Sequence, residues 1–112
     1  MRLTYTTLVF ISALSAARAD ERPVFNLELT EDSFVPEVLN VPANTKIQIK
    51  MLNSTSKVAE FESFDMKFEK IATPGKSITV RTGPLQPGIY NFFDDYSINN
   101  IRGKVVAKDN LK

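Results

Sequence analysis

The chain has 112 residues, of which 43% are hydrophobic and 24% are charged, and its formal net charge is +1 at pH 7. It contains no cysteine, no histidine and no tryptophan, which excludes disulfides, thiolate nucleophiles, imidazole bases and metal sites built from Cys or His. The near-balanced charge also argues against a nucleic-acid-binding role, which usually needs a clear basic excess.

Residues 1–19 have the pattern of a signal peptide. Arg2 supplies a short basic start, residues 8–14 form an apolar stretch, and residues 17–19 give the small-x-small motif that signal peptidase recognises. The apolar stretch is far shorter than the roughly 20 residues that span a bilayer, so a retained membrane anchor is the weaker interpretation. We therefore expect cleavage at the end of this segment, export to the periplasm, and a single domain over residues 20–112.

The remainder of the chain predicts short β-strands. Hydrophobic and polar side chains alternate over residues 25–29, 47–52 and 78–81, and briefly again over 90–92 and 105–107. Turn-forming Pro, Gly, Asn and Asp separate these stretches at intervals of about 8–12 residues, which is typical of an all-β sandwich. The most helix we expect is one turn near Ser97 to Ile101.

Three groups of residues carry a resemblance to a known family. They are Phe34-Val35-Pro36-Glu37 followed by Val41-Pro42-Ala43-Asn44-Thr45, then Asn53 with Glu60-Phe61-Glu62 and Glu69-Lys70, and finally residues 83–95 with Arg102-Gly103-Lys104-Val105-Val106. In this order and spacing they resemble the EfeO-type cupredoxin-like domains. The resemblance implies a periplasmic Greek-key β-sandwich of about seven to eight strands. Relatives bind copper or iron and often accompany bacterial iron-uptake permeases.

The metal ligands of electron-transfer cupredoxins are missing from this sequence. Such proteins bind copper through two His, one Cys and a weak axial Met. The resemblance places Asp94 at the Cys position, Ser97 near the second His, and Ile101 at the Met. Glu60 takes the place of the first His, after Asn53. A blue-copper centre therefore cannot form.

Carboxylates remain as candidate ligands, in two segments that the implied fold brings to one end of the sandwich. The six acids are Glu60, Glu62, Asp65, Glu69, Asp94 and Asp95. Oxygen ligands suit ions such as Fe³⁺, Mn²⁺ or Ca²⁺, Cu²⁺ also binds carboxylates, and a thioether would favour Cu⁺. We expect the copper or iron ligands to be Glu60, Glu62, Met66, Glu69, Asp94 and Asp95. Like charges that lie this close would raise one pKa unless a cation sits between them.

Strand alternation places Glu60 and Glu62 on one face of their strand. These two acids are equally explained as a solvated strand face. Asp94 and Asp95 are equally explained as a turn in which Asp side chains accept local backbone N–H groups. Met66 is also explained as a residue that fills a gap in the core.

Two cations bear on the same acids. Glu69 and Lys70 are also explained as a surface ion pair, which contributes about 0–1 kcal/mol. Arg102 could neutralise Asp94 or Asp95, which would fill the site with protein rather than metal. The aromatic residues within 92–96 are explained either as core and rim or as a patch that docks a partner.

The sequence therefore predicts an exported cupredoxin-like protein that binds copper or iron and acts in bacterial iron uptake. Its expected partners are the metal ion and an inner-membrane iron permease or associated periplasmic proteins. Because His, Cys and a Tyr-rich electron path are lacking, binding and delivery are favoured over catalysis, with an accessory role in ferrous iron oxidation left open. The alternative is a metal-free sandwich that serves as an interaction module or as a subunit of a periplasmic or membrane complex.

Overall fold

A computed structural model describes residues 3–4 and 21–109 and shows two packed β-sheets. The nine strands of this part of the chain are β1 (Val24–Leu29), β2 (Phe34–Val35), β3 (Val38–Pro42), β4 (Ile47–Asn53), β5 (Ala59–Ser63), β6 (Phe68–Ala72), β7 (Ser77–Thr82), β8 (Gly88–Asp94) and β9 (Arg102–Lys108). The predicted signal peptide, residues 3–4 apart, lies outside the described residues and stays a prediction. Within the described range no helix could cross a membrane.

The strands form the expected Greek-key sandwich. One sheet has the order β2-β1-β4-β7 and the other β3-β9-β8-β5-β6. The chain passes between the sheets at each connection from β2 to β5, and again from β6 to β7 and from β7 to β8, so strands that are consecutive in sequence often lie in opposite layers. Nine strands exceed the expected count of about seven to eight, since a strand as short as β2 leaves no period-two pattern. The helical turn expected before β9 is a non-helical loop.

Aromatic packing sets β5 beside β8 at the centre of the core. The fully buried Phe34, Phe61 and Phe92 meet edge to face or tilted, with ring centroids 4.9 Å apart for Phe34–Phe92 and 5.3 Å apart for Phe61–Phe92. Such pairs contribute about 0.5–1.5 kcal/mol each beyond their buried area. This packing holds β5 against β8, and therefore near the loop that follows β8.

Gly103 of β9 lies against this aromatic cluster. A Cβ at this position would meet Phe92 Cε1 at 2.5 Å and the carbonyl oxygen of Glu37 at 2.9 Å. We expect Gly103→Ala to lower the free energy of unfolding by about 1–3 kcal/mol, measured by urea denaturation, because the packed core must move to admit a methyl group. Gly75→Asn is the control, since no atom lies within 4 Å of its Cβ position and Asn tolerates the positive φ there. Equal losses in the two variants would contradict the packing argument.

Candidate metal centre

Strand β5 presents two glutamates on the outer face of the five-stranded sheet. Phe61 is fully buried in the core, so the alternation of the strand turns Glu60 and Glu62 outward, as the sequence predicted. Glu62 is nevertheless only 9% exposed, because it lies between Phe93 of β8 and Glu69 of β6. The carboxylate of Glu62 is therefore largely shielded from solvent.

The loop after β8 adds a third carboxylate. The Asp95 N–H donates to the carbonyl oxygen of Glu60 at 3.0 Å, which brings this loop alongside β5. One carboxylate oxygen each from Glu60, Glu62 and Asp95 lie within 4.8 Å of one another. Since oxygen ligands contact metal ions at about 2.0–2.6 Å, three oxygens at this spacing can contact a single ion. We call these three residues the carboxylate cluster.

Within the part of the chain that the structure describes, the charged groups that raise the pKa of Glu62 are all acidic. Burial, the hydrogen bond to Glu60, and the negative charges of Asp95, Glu60 and Glu69 raise the pKa of Glu62 to about 7. Because like charges disfavour the ionised form, a cation bound among these oxygens would favour loss of the Glu62 proton.

Tyr96 is a residue of this site that the sequence assigned only to an aromatic patch. Hydrogen bonding to Glu60 and the charge of Glu60 are the main reasons that the pKa of the Tyr96 phenol is raised, with smaller contributions from burial, Asp95 and Glu69. Its phenol oxygen is thus a further hard donor beside the cluster. The sequence placed Tyr96 next to Asp95 but gave no other indication that it belongs to the site. The direction of the phenol depends on the path of the loop, which the sequence does not show.

Two predicted ligands and one neighbouring acid lie outside the cluster. Glu69 is the direct cross-strand partner of Glu62 and contributes charge to it, but its carboxylate is not one of the three grouped oxygens. Met66 is 8% exposed and belongs to the hydrophobic core, the structural alternative considered from the sequence. Asp65 Oδ2 accepts the backbone and side-chain N–H groups of Asn91 at 2.7 and 3.3 Å.

Asp94 also lies apart from the cluster, although it is adjacent to Asp95. It pairs with Phe61 across β5 and β8, which places its side chain on the core side of the sheet, and it is 9% exposed. Its Oδ1 accepts the N–H of Glu60 at 2.9 Å and the N–H of Tyr96 at 3.1 Å. The contact with Tyr96 is the local backbone hydrogen bond that the turn interpretation predicted.

The two cations considered from the sequence have other partners. The Arg102 guanidinium lies 5.3 Å from the centroid of the Phe93 ring, and its Nε donates to Asn100 Oδ1 at 2.9 Å. Lys70 Nζ donates to the carbonyl oxygen of Thr79 at 3.1 Å. Neither contact is the ion pair that would have neutralised the acidic residues.

The available donors determine which metal chemistry fits. Cysteine and histidine are absent from the sequence, and both methionines within the described residues, Met51 and Met66, are buried in the core. The soft and imidazole ligands of a blue-copper site are therefore missing. The carboxylate cluster with its neighbouring phenol instead suits hard or borderline cations.

Comparisons with known proteins agree with this fold. Residues 3–107 match the family model described as a cupredoxin-like domain. An uncharacterized protein of Rickettsia prowazekii (strain Madrid E) is 35% identical over 83 residues, which cover 74% of this chain and 66% of that protein. The chain thus spans slightly less than two thirds of the length of this relative.

Solved structures with the same fold include copper proteins. Reduced auracyanin from Roseiflexus castenholzii aligns with a TM-score of 0.64 and 15% identity over 76% of this chain and 96% of its own. The metal-binding domain of the Cu(I)-exporting P-type ATPase CopA of Streptococcus pneumoniae D39, solved with Cu(I), aligns with a TM-score of 0.68 and 10% identity over 76% and 84% of the two chains. From the family match and the shared sandwich, we conclude that this chain belongs to the cupredoxin-like domain family.

Proposed function

We propose that this protein is an exported, EfeO-type cupredoxin-like protein that binds an iron or copper ion through Glu60, Glu62 and Asp95. The observation that carries the proposal is the convergence of three carboxylate oxygens within 4.8 Å on the outer face of one sheet. Glu69 adds negative charge beside them, and Tyr96 offers a phenol oxygen. Membership of the cupredoxin-like family, and a structural likeness to a domain that was solved with Cu(I), support a metal as the ligand.

The position of the cluster favours binding and delivery over catalysis. Asp95 is exposed and Glu60 is half-buried, so an ion there can be reached and exchanged from solvent. Oxidation of ferrous iron would need an electron acceptor, and the sequence has no Cys, His or Trp and only three Tyr that could relay electrons to one. We therefore propose that the protein holds iron in the periplasm and passes it to an inner-membrane permease. The signal-peptide pattern of residues 1–19 supports the location.

Metal titration tests this function. The cleaved chain, residues 20–112, is freed of metal and titrated separately with Cu²⁺, with Fe²⁺ under anaerobic conditions, and with Fe³⁺ citrate. We expect one ion to bind per chain. If Tyr96 becomes a ligand, Fe³⁺ should produce a visible phenolate-to-iron absorption band that Tyr96→Phe removes. If the chain binds none of the three ions, the proposal is overturned.

A second candidate function follows from apolar side chains that surround the cluster. Phe64, which packs on Phe93 at a centroid distance of 5.1 Å, is 74% exposed, and Ile71, the cross-strand partner of Glu60, is 53% exposed. Exposed apolar groups of this kind are typical of docking surfaces. Co-purification with a defined membrane complex in the presence of a chelator, unchanged by Glu62→Gln, would favour this interaction module over the metal carrier.

A further inference from the structure

A single carboxylate connects the two segments that form the metal site. Asp94 Oδ1 accepts the backbone N–H of Glu60, on β5, and that of Tyr96, in the loop after β8, at 2.9 and 3.1 Å. The reciprocal contact runs from the Asp95 N–H to the Glu60 carbonyl oxygen at 3.0 Å. These three hydrogen bonds hold the backbones of Glu60, Asp95 and Tyr96, which with Glu62 form the proposed metal site.

Asp94 also forms hydrogen bonds with the rest of the loop that follows β8. Its carbonyl oxygen accepts the N–H and the Oγ–H of Ser97 at 3.1 and 2.9 Å, and its N–H donates to the carbonyl oxygen of Ile101 at 3.0 Å. Ser97 Oγ in turn accepts the Ile101 N–H at 2.9 Å. The loop that carries Asp95 and Tyr96 therefore begins and ends at hydrogen bonds made by Asp94.

The Asp94 carboxylate cannot join the ligands that it orders. Because Asp94 pairs with the fully buried Phe61, its side chain lies on the core side of the sheet. Glu60 and Glu62 flank Phe61 and point to the opposite face. Any influence of Asp94 on the ion consequently passes through the backbone of Glu60 and of the loop.

We propose that Asp94 is a positioning residue, which holds the carboxylate cluster and Tyr96 in register without contacting the metal. The inference rests on the proposed metal-binding function and assigns to Asp94 a role different from the ligand role expected from the sequence. It also explains why β8 ends in an acidic residue: one oxygen that accepts two hydrogen bonds joins two segments 34 positions apart.

The two roles require different properties of the side chain. A ligand contributes its negative charge, whereas a hydrogen-bond acceptor needs only the oxygen that corresponds to Oδ1. Asp94→Asn keeps such an oxygen and loses the charge, whereas Asp94→Ala loses both. The pair of variants therefore separates positioning from coordination. Asp32→Asn, at an exposed position in the β1–β2 connection, is the matched control for the loss of one negative charge.

The experiment measures the affinity of each variant for Cu²⁺ and for Fe³⁺ citrate. We expect Asp94→Asn and Asp32→Asn to stay within about threefold of the unsubstituted chain. We expect Asp94→Ala to bind about 10–100-fold more weakly, the usual effect of removing a group that orients a ligand. In the metal-free protein, amide hydrogen exchange at Glu60 and Tyr96 should accelerate in Asp94→Ala and stay unchanged in Asp94→Asn.

Either of two affinities measured for Asp94→Ala would overturn the positioning role. Equal loss of affinity in Asp94→Asn and Asp94→Ala would identify Asp94 as a ligand, and unchanged affinity in Asp94→Ala would remove any role. If Asp94→Ala fails to fold, Asp94→Asn decides alone, since weaker binding with unchanged amide exchange would show that the charge is what matters. The absence of binding by the unsubstituted chain would instead reject the proposed function, and the positioning role with it.

Discussion

Glu62→Gln should weaken metal binding by about 100-fold or more, since the loss of a ligand is expected to exceed the 10–100-fold effect of changing an outer residue. Glu62 is the most shielded of the three clustered carboxylates, and the charges of Asp95, Glu60 and Glu69 all act on it. Its amide analogue retains the size of the side chain and removes one charged oxygen donor. Isothermal titration with Cu²⁺ and competition for Fe³⁺ citrate measure the change.

Glu37→Gln provides the control for this substitution. Glu37 is exposed in the connection between β2 and β3, and it is not one of the clustered carboxylates. The chemical change and the loss of net charge are the same in both variants, so a difference between them reports the position of the carboxylate. Equal affinities of Glu62→Gln and the unsubstituted chain would show that the ion binds elsewhere.

The stability of the metal-free protein should depend on pH through the same residue. The pKa of Glu62 is raised from 4.5 to about 7 by burial and by neighbouring acids. Between these pH values the folded chain holds a proton at Glu62 that the unfolded chain has released, so the free energy of unfolding falls as pH rises. The stability from this group is fully present below about pH 4.5 and fully lost above about pH 7.

Thermal unfolding of metal-free Glu62→Gln and the unsubstituted chain at pH 4, 6 and 8 isolates this contribution, because the other carboxylates titrate in both proteins. Gln resembles the protonated acid, so the variant should have the higher Tm at pH 8 and an equal Tm at pH 4. An unchanged difference at all three pH values would contradict the argument. A bound cation favours the ionised form, so in the unsubstituted chain metal affinity should rise by about tenfold per pH unit up to pH 7.

The composition and the short-range pattern of the sequence were sufficient to predict the fold class and to exclude a blue-copper centre. The alternation in β1, β4 and β7 survives in the structure because each strand buries one face against the other sheet. Exclusion of a blue-copper centre needed no structure, since atoms that the chain lacks cannot be supplied by folding. The outward orientation of Glu60 and Glu62 followed from the apolar Phe61 between them.

Which acidic residues form the site depended on contacts between distant parts of the chain. Asp94 and Asp95 are adjacent, yet the pairing of Asp94 with Phe61 turns its side chain toward the core while the next residue joins the cluster on the outer face. A shift of one residue in this register would exchange their positions. The register is set by packing between β5 and β8, and the path of the following loop by the hydrogen bonds of Asp94. Local sequence carries neither, so which acids meet was decided by the tertiary structure.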